Sequence, residues 1–111
     1  MRIEELQKEI INFRDNRNWE QFHKIKDLLL GLNIEVSELS ELFLWKSNKE
    51  IEDINKDRIE EEVSDIFIFL TYICNHFDID LSGAVKNKID LNNRKYPIDK
   101  SYNSNKKYTE L

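Results

Sequence analysis

Leu28-Leu-Leu-Gly-Leu-Asn-Ile-Glu-Val-Ser-Glu-Leu-Ser-Glu-Leu-Phe-Leu-Trp45 is the stretch whose reading decides the fold. Leu28, Leu29, Leu32, Val36, Leu39, Leu42 and Phe43 recur at steps that trace one face of a helix. The helix is expected to span about residues 25–46. Upstream, Ile3, Leu6, Ile10 and Phe13 repeat the pattern over 2–17, with Arg14 and Arg17 near the end of that segment. Residues 18–24, Asn-Trp-Glu-Gln-Phe-His-Lys, break it and read as an aromatic and polar connector. Downstream, 47–56 is polar, with Ile51 and Ile54 as inward contacts. Helical spacing resumes over 57–77 through Ile59, Val63, Ile66, Phe69, Leu70, Ile73 and Phe77. Asp78–Asp80 form a turn with Asp80 as N-cap, and a fourth helix over 81–95 stops before Pro97. Four helices with short links predict an all-α antiparallel bundle over 1–97. The polar tail, 98–111, is expected to be mobile or to dock only on a partner.

Composition supports helices. Two glycines and one proline in 111 residues leave little to punctuate hairpins. A chain of this size forms one modest core, so completion of the bundle by oligomerisation is expected. A single cysteine, Cys74, permits no intrachain disulfide, which fits a reducing cytoplasm, and it reads as a small buried hydrophobe. Ile66–Leu70 is far short of the roughly 20 apolar residues that span a bilayer. Arg2, Glu4 and Glu5 do not resemble a secretory leader, and a cytoplasmic protein with no membrane partner is expected. The net charge of -5 argues against binding a nucleic-acid polymer. It also opposes binding a polyphosphate unless a divalent cation intervenes.

Two carboxylate pairs carry the chemistry: Glu35-Val-Ser-Glu38, followed by Glu41, and Glu62-Val-Ser-Asp65. Residues three apart share one side of a helix. With 22 acidic residues in the chain, such pairs also arise by chance on wet faces. Helical projection, at about 100° per residue, separates these four from that background. Glu35 projects between Leu28 and Leu42, and Glu38 between Ile34 and Leu42. Glu62 projects between Phe69 and Ile73, and Asp65 between Phe69 and Tyr72. Burying carboxylates without a counter-charge costs several kcal/mol each. No Lys or Arg occupies an inward position on either helix, so a hard divalent ion is the expected partner. Mg²⁺ suits an all-oxygen set, and Mn²⁺ can substitute. A di-iron bundle would need Glu-x-x-His, and neither His23 nor His76 is so placed.

These residues also carry a resemblance. Arg17-Asn-Trp-Glu-Gln-Phe-His23, Glu35-Val-Ser-Glu-Leu-Ser-Glu-Leu-Phe-Leu-Trp45, Glu61-Glu-Val-Ser-Asp65, Asn92 and Tyr96-Pro97 resemble, in order, the MazG-like nucleotide pyrophosphohydrolases. The likeness is nearest to the dCTP pyrophosphatase branch and covers about 3–97. It implies an all-α dimer or tetramer that hydrolyses (deoxy)nucleoside triphosphates to monophosphate and pyrophosphate. It implies that Glu35, Glu38, Glu62 and Asp65 are metal ligands and that Trp19, His23 and Trp45 contact the nucleotide. The chain departs from the branch at Phe69, where Tyr is frequent, at Lys95, where Arg precedes Tyr-Pro, and at Asp27, where Asn is common.

Beside the metal set, Trp19, Trp45, His23 and Phe22 could form a pocket whose aromatic faces stack on a base, though either Trp alone reads as core. Phe69 is counted with the substrate contacts. Lys88, Asn92 and Lys95 share one helix face with Tyr96 beyond, either a solvated basic patch or a phosphate clamp. Glu38 or Glu41 is the candidate proton acceptor for an attacking water. The leading expectation is therefore an Mg²⁺-dependent nucleoside triphosphate pyrophosphohydrolase. Its main rival is a non-catalytic helical module with a structural metal site. A less favoured rival is a pyrophosphohydrolase acting on a phosphoribosyl-nucleotide.

Overall fold

A computed structural model describes all 111 residues. The chain is helical throughout and has no strand. The helices are α1 (Ile3–Asp15), α2 (Ile25–Glu41), α3 (Asn48–Glu52), α4 (Lys56–His76), α5 (Leu81–Lys95) and α6 (Ile98–Ser101), with 3-10 turns at Glu20–Phe22 and Tyr108–Glu110. The all-α expectation holds, and the bounds of α1, α4 and α5 fall within two residues of those read from periodicity. No helix is long and apolar enough to cross a membrane.

Met1–Asp78 and Ile79–Leu111 form two compact units. In the first, α4 is the central element and packs on both α2 and α1. Gly31 faces the Phe69 ring, and Glu35 lies with Glu62 and Asp65. Leu42 shares a cleft with Arg58. Numbers rise along α2 as they fall along α4, so these two helices are antiparallel. Gly31 is what allows the close approach, since a Cβ there would lie 2.3 Å from Phe69 Cε1. Along α1 the order is the reverse: Ile10 and Phe13 border Ile68 and Tyr72, while Arg14 reaches Asn75. Thus α1 runs in the same sense as α4.

The fully buried hydrophobic set is small: Leu28, Leu42, Tyr72 and Cys74. Leu30, Ile34, Leu44, Trp45, Val63 and Phe22 remain exposed. Leu29, Val36 and Phe77, which like Val63 helical periodicity places on the inner faces, are exposed as well, so the single chain leaves much hydrocarbon in water.

Three expectations need correction. The second helix ends at Glu41, not near residue 46; Leu42–Trp45 continue as turns, and Trp45 takes a left-handed backbone with φ 64°. The polar stretch 47–56, to which the spacing assigns no element, holds a short helix. Ser47 Oγ accepts from the Glu50 amide at 3.2 Å, and Glu50 Oε1 accepts from the Ser47 amide at 3.2 Å. This reciprocal cap starts α3. The Ser-x-x-Glu spacing carried that signal. Finally, the tail is structured within its own unit. It holds α6 and a terminal 3-10 turn, and Tyr108 meets Tyr96 edge-on with ring centres 5.8 Å apart. The expected cap of α5 is present, with Asp80 Oδ1 accepting from the Gly83 amide at 3.2 Å.

Candidate metal and nucleotide site

The α2–α4 seam is where the carboxylates converge. One oxygen each from Glu35, Glu62 and Asp65 lies within 4.8 Å of the others, and all three residues are half-buried. Glu38 is half-buried too and lies beside Glu35 and Glu62, outside that 4.8 Å group but close enough to raise both carboxyls. Burial, the Glu38 contact and the charges of Asp65, Glu38 and Glu62 push the Glu35 carboxyl up to about 7. Glu62 is raised as well, first by burial and then by contact with Glu38 and the Asp65 charge. Like charges crowded into a partly dry seam oppose one another's ionisation.

Nothing in the protein relieves this crowding. The ion pairs of the chain involve Arg14, Lys56 and Lys86, with no cation on any of the four acids. Glu35 Oε2 and Glu62 Oε2 are shielded from solvent and find no hydrogen-bond donor. Two buried acceptors without donors, among converging oxygens, fit the demands of a hard divalent ion. Glu60, Glu61 and Asp57, by contrast, point to solvent.

Glu38 and Glu62 also line an open cleft of about 730 Å³ with Glu41, Leu42, Lys46 and Arg58. Glu41 stands exposed on this cleft, outside the close acidic group. Lys46 and Arg58 form no ion pair there; sequence reasoning missed both, because exposed cations on a charged chain leave no periodic signal.

The connector brings a second set together. The Trp19 ring meets Phe13 edge-on at 5.7 Å, and the His23 ring lies 4.4 Å from Tyr72. His23 Nδ1 is shielded and unpartnered. Burial, then the nearby Arg14 cation, lower the His23 pKa, with Glu20 opposing. Tyr72 in turn meets Phe69 edge-on at 5.9 Å. An aromatic row thus runs from His23 through Tyr72 to Phe69, one helical turn beyond Asp65. Phe13 and Tyr72 also line an apolar hollow of about 230 Å³ with Leu6, Ile10 and Ile68. Periodicity places Ile10 and Phe13 on the apolar face of the first helix and assigns Tyr72 no role. The spacing on the inner face of α1 was visible, but the proximity of all three to the connector was not.

Trp45 is not part of this set. It is 91% exposed and meets no other ring of the chain, so the expected pocket joining it to Trp19 and His23 does not form within one chain. In the second unit, Lys88 and Asn92 are exposed, and Lys95 Nζ lies 4.8 Å from the centre of the Tyr108 ring. Tyr96 touches that same ring. His76 is exposed beside Phe77, away from any acid group.

Residues 30–111 match the family model described as MazG-like. The chain belongs to the MazG-like family. Its helices form the family's all-α bundle. Human dCTP pyrophosphatase 1 is 39% identical over 98% of this chain and 67% of its own length. The bovine protein of that name is 40% identical over 98% of this chain and 68% of its own. Among solved structures, a pyrophosphatase from Archaeoglobus fulgidus matches with a TM-score of 0.78 and 39% identity, covering 86% of this chain and 92% of that one.

Proposed function

We propose that this MazG-like protein is an Mg²⁺-dependent nucleoside triphosphate pyrophosphohydrolase acting on dCTP-like or modified deoxynucleoside triphosphates. The enzyme class is that of its relatives, nucleoside triphosphate pyrophosphatases. The observation that carries the reading is the meeting of Glu35, Glu62 and Asp65 oxygens within 4.8 Å, joined by Glu38 and unanswered by any protein cation.

In this reading Glu35, Glu38, Glu62 and Asp65 hold the metal, and Mn²⁺ replaces Mg²⁺ with retention of activity. A divalent ion held there would neutralise phosphate charge and supply Lewis acidity for activating water. A water oxygen attacks the α-phosphorus, the bond from α-phosphorus to the bridging oxygen breaks, and pyrophosphate leaves with that oxygen. Glu41 takes the proton of the attacking water, because it lines the cleft while its lone pairs stay outside the close acid group. Glu38 is engaged with two other carboxylates and is the weaker candidate for that step.

The base lies against Trp19, His23 and Phe69, with the apolar hollow of α1 and α4 behind it. The unpartnered His23 Nδ1 offers a hydrogen bond to base or sugar. Within the second unit, Lys88, Asn92, Lys95 and Tyr96 are the proposed phosphate-binding side chains. Trp45 closes the pocket of a second copy in a homodimer or homotetramer, which accounts for its exposure and for the uncovered apolar surface of Leu30, Ile34, Leu44 and Val63. The cellular role is nucleotide-pool clean-up in the cytoplasm.

A panel of dNTPs and NTPs incubated with Mg²⁺, with products resolved by mass, tests the proposal. Monophosphate and pyrophosphate are expected, with a deoxycytidine-type substrate turned over fastest. Stepwise release of orthophosphate would place cleavage at another bond. Metal-dependent stabilisation without turnover would leave a structural metal module instead.

A further inference from the structure

Arg14 is the only charged side chain that the fold buries, at 4% exposed. It sits in the last turn of α1, where a cation also complements the helix dipole. Every arm of its guanidinium is used. Nε donates to Asp15 Oδ1 at 2.9 Å, and Nη2 lies 2.8 Å from that oxygen. Nη2 also donates to Glu20 Oε2 at 3.3 Å. Nη1 crosses to α4 and donates to Asn75 Oδ1 at 2.9 Å.

The same residue holds the connector by its backbone. The Arg14 carbonyl accepts from the Arg17 amide at 3.1 Å and from the Trp19 amide at 3.2 Å. From there the hydrogen bonds continue, Phe22 N to Trp19 O at 2.9 Å and His23 N to Glu20 O at 2.9 Å. One residue therefore sets where Trp19 begins, where Glu20 is held, and how both are tied to α4. Side-chain contacts extend the same frame, with Trp19 against Phe13 and His23 against Tyr72.

Stability alone is a poor reason for such a residue. Removing an arginine from water is costly, and a well-packed apolar side chain of similar volume commonly does as well or better. What an apolar replacement lacks is the planar fork, which fixes three acceptors in one geometry.

We propose that Arg14 is a positioning residue for nucleotide recognition: it fastens the connector that presents Trp19 and His23 to α4, without touching the ligand itself. This rests on the reading of that connector as a nucleotide-contact segment. The His23 pKa is lowered first by burial and only then by the Arg14 cation, against the opposing Glu20 carboxylate, so the same frame that holds the connector also keeps the ring facing Tyr72 neutral.

The test is steady-state kinetics of the full chain on its best triphosphate, with variants Arg14→Met, Arg14→Lys and Asn75→Ala. Arg14→Met keeps the apolar stem and removes the fork; KM is expected to rise about tenfold or more while kcat stays within about twofold. Arg14→Lys should fall between it and the unaltered protein, and Asn75→Ala should raise KM by a smaller factor. Unchanged KM in Arg14→Met, or equal losses in kcat and kcat/KM, overturns the inference. Should Arg14→Met fail to fold, the exposed acceptor Asn75 decides: an unchanged KM in Asn75→Ala is equally fatal. Failure of the unaltered chain to release pyrophosphate would instead remove the functional reading, and this inference with it.

Discussion

The α2–α4 seam and the outward face of the same helices invert the usual division of side chains. In the seam, four carboxylates are half-buried without a cation or, for two of their oxygens, any donor. A few residues away on these helices, Leu30, Ile34 and Val63 stand in solvent. Both arrangements cost free energy in an isolated chain, but for opposite reasons. Charge has been taken out of water in one, and hydrocarbon has been left in it in the other. Each imbalance names what would correct it: a divalent cation for the seam, and apolar surface from a second copy for the face.

Breaking the seam should have the largest effect. Glu38→Ala or Asp65→Ala should lower Mg²⁺-dependent pyrophosphate release at least about 100-fold, read by product analysis. Full activity in either would separate the acids from the chemistry. Next comes the face. Ile34→Glu, at a position 57% exposed, should shift light scattering from an oligomer to a monomer, with a fall in activity if Trp45 acts across copies. A chain that is already monomeric at working concentration would remove this half of the contrast.

A smaller effect concerns pH. The Glu35 carboxyl sits near 7 in the fold against 4.5 in the unfolded chain, so the folded state binds more protons between these values. Metal-free stability should therefore fall as pH rises from about 4.5 to about 7, the reverse of a salt-bridged acid. Because Glu62 is raised beside Glu35, the slope belongs to the pair. Mg²⁺ should cancel it. Glu35→Gln should raise the metal-free Tm by about 5 °C at neutral pH and abolish the metal-induced rise, checked by thermal melts with and without Mg²⁺. The smallest effect is expected on the wet side of α4, where Glu60→Ala should change stability by no more than about 0.5 kcal/mol and leave turnover intact.

Much of the seam was legible beforehand, and for a definite reason. A helix converts spacing into direction, so Glu35, Glu38, Glu62 and Asp65 could be assigned inward before any contact was known. Asp57 and Glu60 could be set aside by the same rule. Other features obey no such period. The end of α2 depended on turns from Leu42 to Trp45 that carry no glycine or proline to announce them. The α3 cap was a readable Ser-x-x-Glu signal outweighed by its polar surroundings. Tyr108 on Tyr96 and Lys95 joins residues more than ten apart in a tail without hydrophobic rhythm.

The chain by itself determined that it would be helical and which side chains share a helix face, because backbone periodicity and side-chain polarity are local properties. It also determined which acids could ever meet. Tertiary structure alone decided that Gly31 would admit Phe69, that Glu38 would lie beside both Glu35 and Glu62, and that Arg14 would bridge the connector to Asn75. Those are relations between helices. They depend on register and close approach, which no single segment encodes.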